Sequence, residues 1–98
     1  MDLGDIYQKG VEVISAGNYF SIQPDTGNEI VIHNVIFSGA CEVYIYDGVT
    51  ELLMDTFTEV GSLSGQYFHC TNTKYIRVKN TTAGNLNFYA DGVYTKIA

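Results

Sequence analysis

The sequence predicts an all-β fold, a compact antiparallel β-sandwich or jelly roll of about eight or nine short strands. Runs of β-branched and aromatic residues recur along the chain, and clusters of Gly, Asn, Asp and Ser separate them. Only one proline occurs in 98 residues, so most runs are free to pair as strands. Many short strands with frequent turns are typical of two stacked antiparallel sheets.

The first strands are expected before residue 38. Val11 and Val13 alternate with polar residues in the first strand, which Ile6 extends toward the amino terminus. The second strand covers residues 19–22 and stops at Pro24, whose ring presets the backbone angle of a reverse turn. Residues 29–37 are rich in β-branched and aromatic side chains, which favours a central strand.

Two strands are expected in the middle of the chain. In residues 41–46, Cys41, Val43 and Ile45 share one face, which should point to the core. Residues 49–60 are ambiguous, because their large apolar residues fit helical spacing while their threonines favour a strand. We interpret them as a strand because their surroundings are all β.

The carboxyl-terminal part is expected to begin with a flexible loop at residues 61–65, which are glycine, serine and one leucine. Four further strands are then expected at residues 66–70, 74–79, 85–90 and 93–97.

Two stretches of the chain follow the same plan. Residues 32–49 and 76–93 each contain an extended run, a polar break with a glycine, and a second extended run that closes on Asp-Gly-Val. This order is the signature of a β-hairpin followed by a tight turn. It predicts turns at Asp47-Gly48 and at Asp91-Gly92, where glycine permits a positive φ.

Length and composition predict a single domain over residues 1–98, since a second core could not be built from so short a chain. Whether residues 1–10 pack on this domain or form an N-terminal arm is left open. Charged residues make up 16% of the chain, below the roughly 25% of an ordinary soluble domain. We therefore expect part of the surface to be covered, as it would be in a homo-oligomer.

The charge balance and the first residues indicate partners and compartment. A net charge of −6 repels phosphate backbones and gives no attraction to anionic membranes, which argues against nucleic acid and membrane as partners. Residues 1–5 lack the pattern of a secretory signal peptide. We expect synthesis in a cytosol, with Cys41 and Cys70 preferred as a reduced pair over a disulfide.

The residues that could carry chemistry do not form a recognisable site. His33, Cys41, His69 and Cys70 lack zinc-site spacing, and the adjacent His69 and Cys70 should point to opposite faces of a strand. The acidic turn at residues 25–29 lacks the complete calcium-loop pattern. Neither a nucleophile elbow nor a Gly-rich phosphate loop occurs. We expect a protein without enzyme activity, cofactor or metal.

Five side chains are candidates for an interface. Tyr44 and Tyr46 lie on the expected outer face of their strand, and Tyr89 lies on the corresponding later hairpin. Amphipathic rings in such positions are buried at protein interfaces or stack on sugars, and we favour a protein interface. Arg77 and Lys79 share one strand face, which is expected to be a solvated edge or to form salt bridges to a neighbouring subunit.

Some segments of the chain carry a resemblance to a known class of proteins. They are Tyr19-Phe20-Ser21-Ile22-Gln23-Pro24, Glu29-Ile30-Val31-Ile32-His33-Asn34, Tyr44-Ile45-Tyr46-Asp47-Gly48, Tyr75-Ile76-Arg77-Val78-Lys79-Asn80 and Tyr89-Ala90-Asp91-Gly92-Val93. With these patterns, which cover most of its length, the chain resembles the small all-β virion structural proteins of tailed bacteriophages.

The resemblance implies symmetric assembly on a larger particle, as a capsid decoration or cement protein or as a small head, tail or fibre component. Among these we favour a capsid decoration or cement protein that stabilises the shell by bridging neighbouring subunits. Its partners would be the major capsid protein or other virion proteins, its assembly a homotrimer, and its location the virion after synthesis in the host bacterial cytoplasm. The alternative is a carbohydrate-binding or receptor-binding β module of a phage tail or fibre, with a glycan as its ligand.

Overall fold

The described residues of the computed structural model form eight β-strands. The described range is residues 3–97, without the side chains of residues 64–67. In chain order the strands are β1 (Ile6–Ile14), β2 (Tyr19–Ile22), β3 (Glu29–Phe37), β4 (Cys41–Tyr46), β5 (Glu51–Phe57), β6 (Gly61–Thr71), β7 (Tyr75–Asn80) and β8 (Leu86–Lys96). No helix of a length and apolarity suited to a membrane crossing occurs among the described residues.

The strands form two four-stranded antiparallel sheets. Sheet A has the order β1-β8-β3-β6, and sheet B has the order β2-β7-β4-β5. Apart from the β4–β5 hairpin, each strand is followed by a strand of the opposite sheet. This interleaving is the topology of a jelly roll. The predicted antiparallel β-sandwich or jelly roll is therefore confirmed, and the number of strands agrees with the prediction.

The core lies between the two sheets and follows the alternation of side chains along each strand. On β7, for example, every second residue is buried and the residues between them are partly exposed. The rings of Phe20 and Phe88 stack across the core with centroids 5.5 Å apart, and those of Phe37 and Phe57 lie 4.6 Å apart. These aromatic contacts help to set the position of one sheet relative to the other.

One buried polar side chain joins the loops at one end of the sandwich. Asn80, at the end of β7, is fully buried. Its amide nitrogen donates to the carbonyl oxygens of Ile14 at 2.9 Å and Gly84 at 2.7 Å. Its amide oxygen accepts from the backbone N–H of Thr82 at 2.9 Å and from the Thr82 hydroxyl at 2.7 Å. Asn80 thereby connects the end of β1 to the β7–β8 loop with no unsatisfied polar atom.

The structure confirms the predicted turn at Asp47-Gly48 and contradicts the one predicted at Asp91-Gly92. Gly48 has a φ of 96° between β4 and β5, as the predicted turn requires. Asp91 and Gly92 instead lie inside β8, which is one strand where two were expected. A Cβ at Gly92 would overlap the carbonyl oxygen of Val31 and would lie 2.9 Å from the Cα of Ile32. The second glycine therefore permits close approach of β8 to β3 and not a turn.

Three other expectations have clear outcomes. Residues 49–60 do contain a strand, β5, as predicted. The flexible loop expected at residues 61–65 is wrong, because these residues begin β6 and pair with the end of β3. Residues 6–10 pair with β8, so this part of the possible arm over residues 1–10 belongs to sheet A. Residues 1–2 lie outside the described range.

Candidate functional site

The outer face of sheet B carries a continuous group of aromatic and charged side chains. Strand alternation points every second residue of β4 and β7 away from the core. The antiparallel register of the four strands then aligns these residues in rows. We call this surface the tyrosine face, and it consists of Tyr19, Glu42, Tyr44, Tyr46, Glu51, Tyr75, Arg77 and Lys79.

Arg77 lies at the centre of the tyrosine face. Its guanidinium carbon is 4.3 Å from the ring centroid of Tyr19 and 4.1 Å from that of Tyr46, within cation–π distance. Its Nε and Nη2 donate to Oε2 of Glu51 at 2.8 Å and 2.5 Å. The side chains of Arg77 and Glu51 are 23% and 28% exposed, so the ion pair is partly shielded from water.

The pKa of Arg77 reflects these contacts. Partial desolvation lowers it, while the hydrogen bonds and the negative charge of Glu51 raise it by more. The net effect is a raised pKa, so the guanidinium keeps its charge at every accessible pH.

Two tyrosine hydroxyls are held by the carboxylates of the tyrosine face. The hydroxyl of Tyr44 donates to Oε1 of Glu42 at 2.7 Å, and that of Tyr19 donates to Oε1 of Glu51 at 3.2 Å. The hydrogen bond to Glu42, together with partial desolvation, raises the pKa of Tyr44 to about 12. Partial desolvation and the charge of Glu51 raise the pKa of Tyr19. Both phenols are therefore neutral hydrogen-bond donors at physiological pH.

Neighbouring rings fix one another in place. Tyr19 and Tyr44 meet edge to face with centroids 6.2 Å apart, and Tyr46 and Tyr75 do the same at 5.5 Å. With Arg77 over two of these rings, the side chains of this face hold one another in place. Binding on such a preorganised surface loses little additional side-chain entropy.

The tyrosine face is electrically balanced on an acidic protein. It contains two cations, Arg77 and Lys79, and two carboxylates, Glu42 and Glu51, so its formal net charge is 2 − 2 = 0. The net charge of −6 therefore lies on the rest of the chain. Another acidic protein, or another copy of this chain, meets less electrostatic repulsion here than elsewhere on the surface.

The structure brings four of the five predicted interface residues together. Tyr44, Tyr46, Arg77 and Lys79 all belong to the tyrosine face. Tyr89 lies on the outer face of sheet A, where Nε2 of Gln8 donates to its hydroxyl at 3.1 Å. The two halves of the repeated pattern thus place their tyrosines on opposite sides of the molecule, because β4 and β8 belong to different sheets.

Sequence reasoning missed the other half of the tyrosine face. Alternation along single strands was a sufficient signal for Tyr75, two residues before Arg77, and for Glu42, two residues before Tyr44. Tyr19 and Glu51 join the face only through the pairing of β2 with β7 and of β5 with β4.

The two cysteines are free thiols and do not join the histidines in a metal site among the described residues. His69 points outward and its Nε2 lies 2.9 Å from Oε1 of Glu29, while the adjacent Cys70 is fully buried. Cys41 is also fully buried, and both thiols are free. Burial raises the thiol pKa to about 12 for Cys41 and to about 11 for Cys70, which disfavours the reactive thiolate. Among the described residues, no three His, Cys, Asp or Glu side chains are placed to hold a metal ion.

The fold and this surface define the protein as a jelly-roll domain with an ordered aromatic face on sheet B. No family model and no curated protein sequence matches the chain. Among solved structures, the chain is similar to one from the Bacillus endospore appendages, which form a family of disulfide-linked pili. The two chains are 13% identical with a TM-score of 0.52, and the match covers 99% of this chain and 93% of that one. At this identity the likeness shows a shared fold.

Proposed function

We propose that this protein is a non-enzymatic structural subunit that binds into a larger protein particle through its tyrosine face. The observation that carries the proposal is the preorganised, charge-balanced tyrosine face on an otherwise acidic domain. Tyrosine and arginine are the residue types enriched at protein interfaces and among their strongest contacts. The thiols are buried with raised pKa values, which further favours a role in contact over one in catalysis.

The particle we favour is a virion, with the chain as a capsid decoration or cement protein on the major capsid protein. The resemblance to small phage virion proteins and the few charged residues support this assignment. A trimer would present three tyrosine faces to the shell, and such repeated modest contacts become collectively strong. The acidic remainder of the domain would be repelled by the packaged genome.

A filament built from this chain is the second candidate. The fold shared with the endospore appendage chain supports it. Those appendages are disulfide-linked pili, whereas Cys41 and Cys70 of this chain are buried in its core. A filament of this chain would therefore be held by contacts other than disulfides through these two thiols.

Glycan binding is supported by the tyrosine rings of the tyrosine face. Arg77 already covers one side of the rings of Tyr19 and Tyr46, which leaves less ring surface for stacking on a sugar. The protein interface therefore stays our first choice. Hits on a glycan array that disappear in Tyr44→Ala would favour the glycan instead.

The test compares two variants with the same change of charge. Lys79→Glu gives the tyrosine face a net charge of −2, while Lys96→Glu makes the same change at a 63% exposed lysine of sheet A. Sedimentation equilibrium of the unmodified protein should give a mass near three times the 10.8 kDa of one chain, and the protein should bind capsids that lack it. Lys79→Glu should weaken capsid binding, and Lys96→Glu should leave it unchanged. A protein that stays monomeric and binds no capsid would contradict the proposal.

A further inference from the structure

A second cavity, of about 200 Å³, opens at one end of sheet A. It lies where β3 begins and where its two neighbours in the sheet, β6 and β8, end. Glu29 at the start of β3 pairs with Thr71 on β6 and with Lys96 on β8, so these three residues lie side by side along one wall. The loops β2–β3 and β6–β7 form the remaining walls and contribute Thr26 and Thr73 among other residues. We call this space the polar cavity.

Hydrogen bonds hold the two loops of the polar cavity in a defined shape. Nε2 of Gln23 donates to the carbonyl oxygen of Asn72 at 2.8 Å, and Nδ2 of Asn72 donates to that of Pro24 at 3.1 Å. These two bonds tie the β2–β3 loop to the β6–β7 loop. Within the β2–β3 loop, the backbone N–H of Asn28 donates to the carbonyl oxygen of Asp25 at 2.9 Å. Because the loops are fixed in this way, a ligand binds in the polar cavity with little loss of loop entropy.

The carboxylate of Glu29 is oriented along the wall of the polar cavity. Its Oε1 lies 2.9 Å from Nε2 of His69, and its Oε2 lies 3.6 Å from Nζ of Lys96. A carboxylate has about four acceptor positions, so these two contacts leave about two of them for groups of a ligand. The ammonium group of Lys96 has further N–H donors beside this carboxylate. Two neighbouring hydroxyl groups of a ligand can therefore donate to Glu29 and accept from Lys96.

The lining of the polar cavity selects an uncharged ligand that is rich in hydroxyl groups. Its described residues are threonine, asparagine, glycine, glutamate and lysine, which offer an apolar ligand little surface for burial. The charges of the segments around it balance, since Asp25 and Glu29 are offset by Lys74 and Lys96, 2 − 2 = 0. A phosphate or a metal cation therefore gains little attraction here. Hydroxyl groups suit the site because they donate and accept hydrogen bonds, as the threonine hydroxyls of the lining do.

The size of the polar cavity fits one sugar ring. A cavity of about 150 Å³ is enough to hold a benzene molecule, which is also a six-membered ring. The polar cavity, at about 200 Å³, is larger than this but smaller than the roughly 300 Å³ or more of a typical small-molecule site. It therefore has room for a single monosaccharide unit, and a longer glycan would extend from it into solvent.

We infer that the polar cavity binds one neutral monosaccharide unit, with Glu29 and Lys96 on two adjacent hydroxyl groups and with Thr26 and Thr73 as further hydrogen-bonding groups. This inference goes beyond the proposed function and does not depend on it. The polar cavity belongs to the end of sheet A, whereas the tyrosine face is the outer face of sheet B. A sugar in the cavity and a protein on the tyrosine face therefore occupy different sites.

Amide NMR spectra of the full chain test the inference. Glucose, galactose, mannose and N-acetylglucosamine are added separately up to about 50 mM, because a few hydrogen bonds in an open site give a dissociation constant on the order of 1–10 mM. At least one of these sugars should shift the amide signals of residues 26–29 and 71–73 in a saturable way. The inference is wrong if none of them does so. It is also wrong if the shifts are confined to the tyrosine face, or if glycine, a zwitterion, saturates the cavity and no sugar does.

Variants with small changes of side chain identify the groups that bind. Glu29→Gln keeps the shape of the side chain but loses its charge, and it should raise the dissociation constant of the bound sugar at least about tenfold. Thr73→Val removes only a hydroxyl and should raise it about three- to tenfold. Thr58→Val makes the same change at an exposed threonine outside the cavity, and it should leave the affinity unchanged. Circular dichroism establishes that each variant is folded. Unchanged affinity in both Glu29→Gln and Thr73→Val overturns the inference, while capsid binding through the tyrosine face is tested separately.

Discussion

Replacement of Asn80 should cost more stability than its single side chain suggests. The amide makes four hydrogen bonds inside the domain, two as donor and two as acceptor. At about 0.5–1.5 kcal/mol for each bond, and with buried carbonyls left unpaired, Asn80→Ala should lower the free energy of unfolding by about 3–5 kcal/mol. This is a large part of the roughly 5–15 kcal/mol that stabilises a typical domain.

A second variant separates the two halves of the network. Asn80→Asp has nearly the same shape and retains an oxygen that accepts from Thr82. Its other oxygen replaces the donor and faces the carbonyl oxygens of Ile14 and Gly84, which repel it. We expect a loss at pH 7 at least as large as that of Asn80→Ala, about 3–5 kcal/mol or more, because two hydrogen bonds are broken and a carboxylate is buried without a cation.

Urea unfolding followed by circular dichroism measures both losses, provided that the slope with denaturant stays constant. Asn18→Ala is the control, because its exposed amide donates to the Ser15 hydroxyl at the surface, and it should change stability by no more than about 0.5 kcal/mol. A loss below about 1 kcal/mol for Asn80→Ala would refute the reasoning, since water would then have replaced the amide.

Other predictions concern the close strand contact and the buried acids. Gly92→Ala should lower the free energy of unfolding by about 2 kcal/mol or more because its Cβ would overlap the backbone of β3, while Gly84→Ala, with open space around it, should be nearly neutral in the same urea assay. Cys41 and Cys70 should resist a thiol reagent at pH 8 in the folded protein and react fully in denaturant; rapid labelling of folded protein would contradict their burial. Burial raises the pKa of Tyr7 from 10.0 to about 12 and that of Cys41 from 9.0 to about 12, so the folded state holds these protons more tightly than the unfolded state. Their contribution to stability should therefore be complete below about pH 9 and lost as the pH rises toward 12, and a melting temperature that stays constant over this range would argue against it.

The fold class could be predicted from the sequence because it depends on local patterns. Alternation along β7 correctly separates buried residues from partly exposed ones, and turn residues mark most strand ends. Along residues 41–46 it places Cys41 and Val43 in the core as predicted, but the prediction is wrong for Ile45, which is 40% exposed. Residues 61–65 show the limit of such reasoning. Their glycines and serines have little strand preference, and they extend β6 because β3 supplies backbone partners from far away in the sequence.

The two Asp-Gly pairs show the same limit more sharply. At residues 47–48 the pair makes the tight turn that its composition predicts. At residues 91–92 the same two residue types lie within a long strand. There the lack of a side chain on Gly92 allows the backbones of β8 and β3 to approach closely. The tyrosine face was likewise predicted only for residues that alternate along a single strand. Tyr19 on β2 and Glu51 on β5 could not be assigned to it, because their places depend on which strands pair.

The balanced charge of the tyrosine face has a consequence for how solution conditions govern assembly. An interface built on opposite charges loosens as ionic strength rises, because salt screens the attraction. The tyrosine face is neutral overall, while the rest of the domain carries the net charge of −6 and would repel an acidic partner. At physiological ionic strength the screening length is already only about 8 Å, and more salt shortens it further. On the proposed function, added salt should therefore strengthen binding through the tyrosine face to an acidic partner, and dilution into low-salt buffer should weaken it.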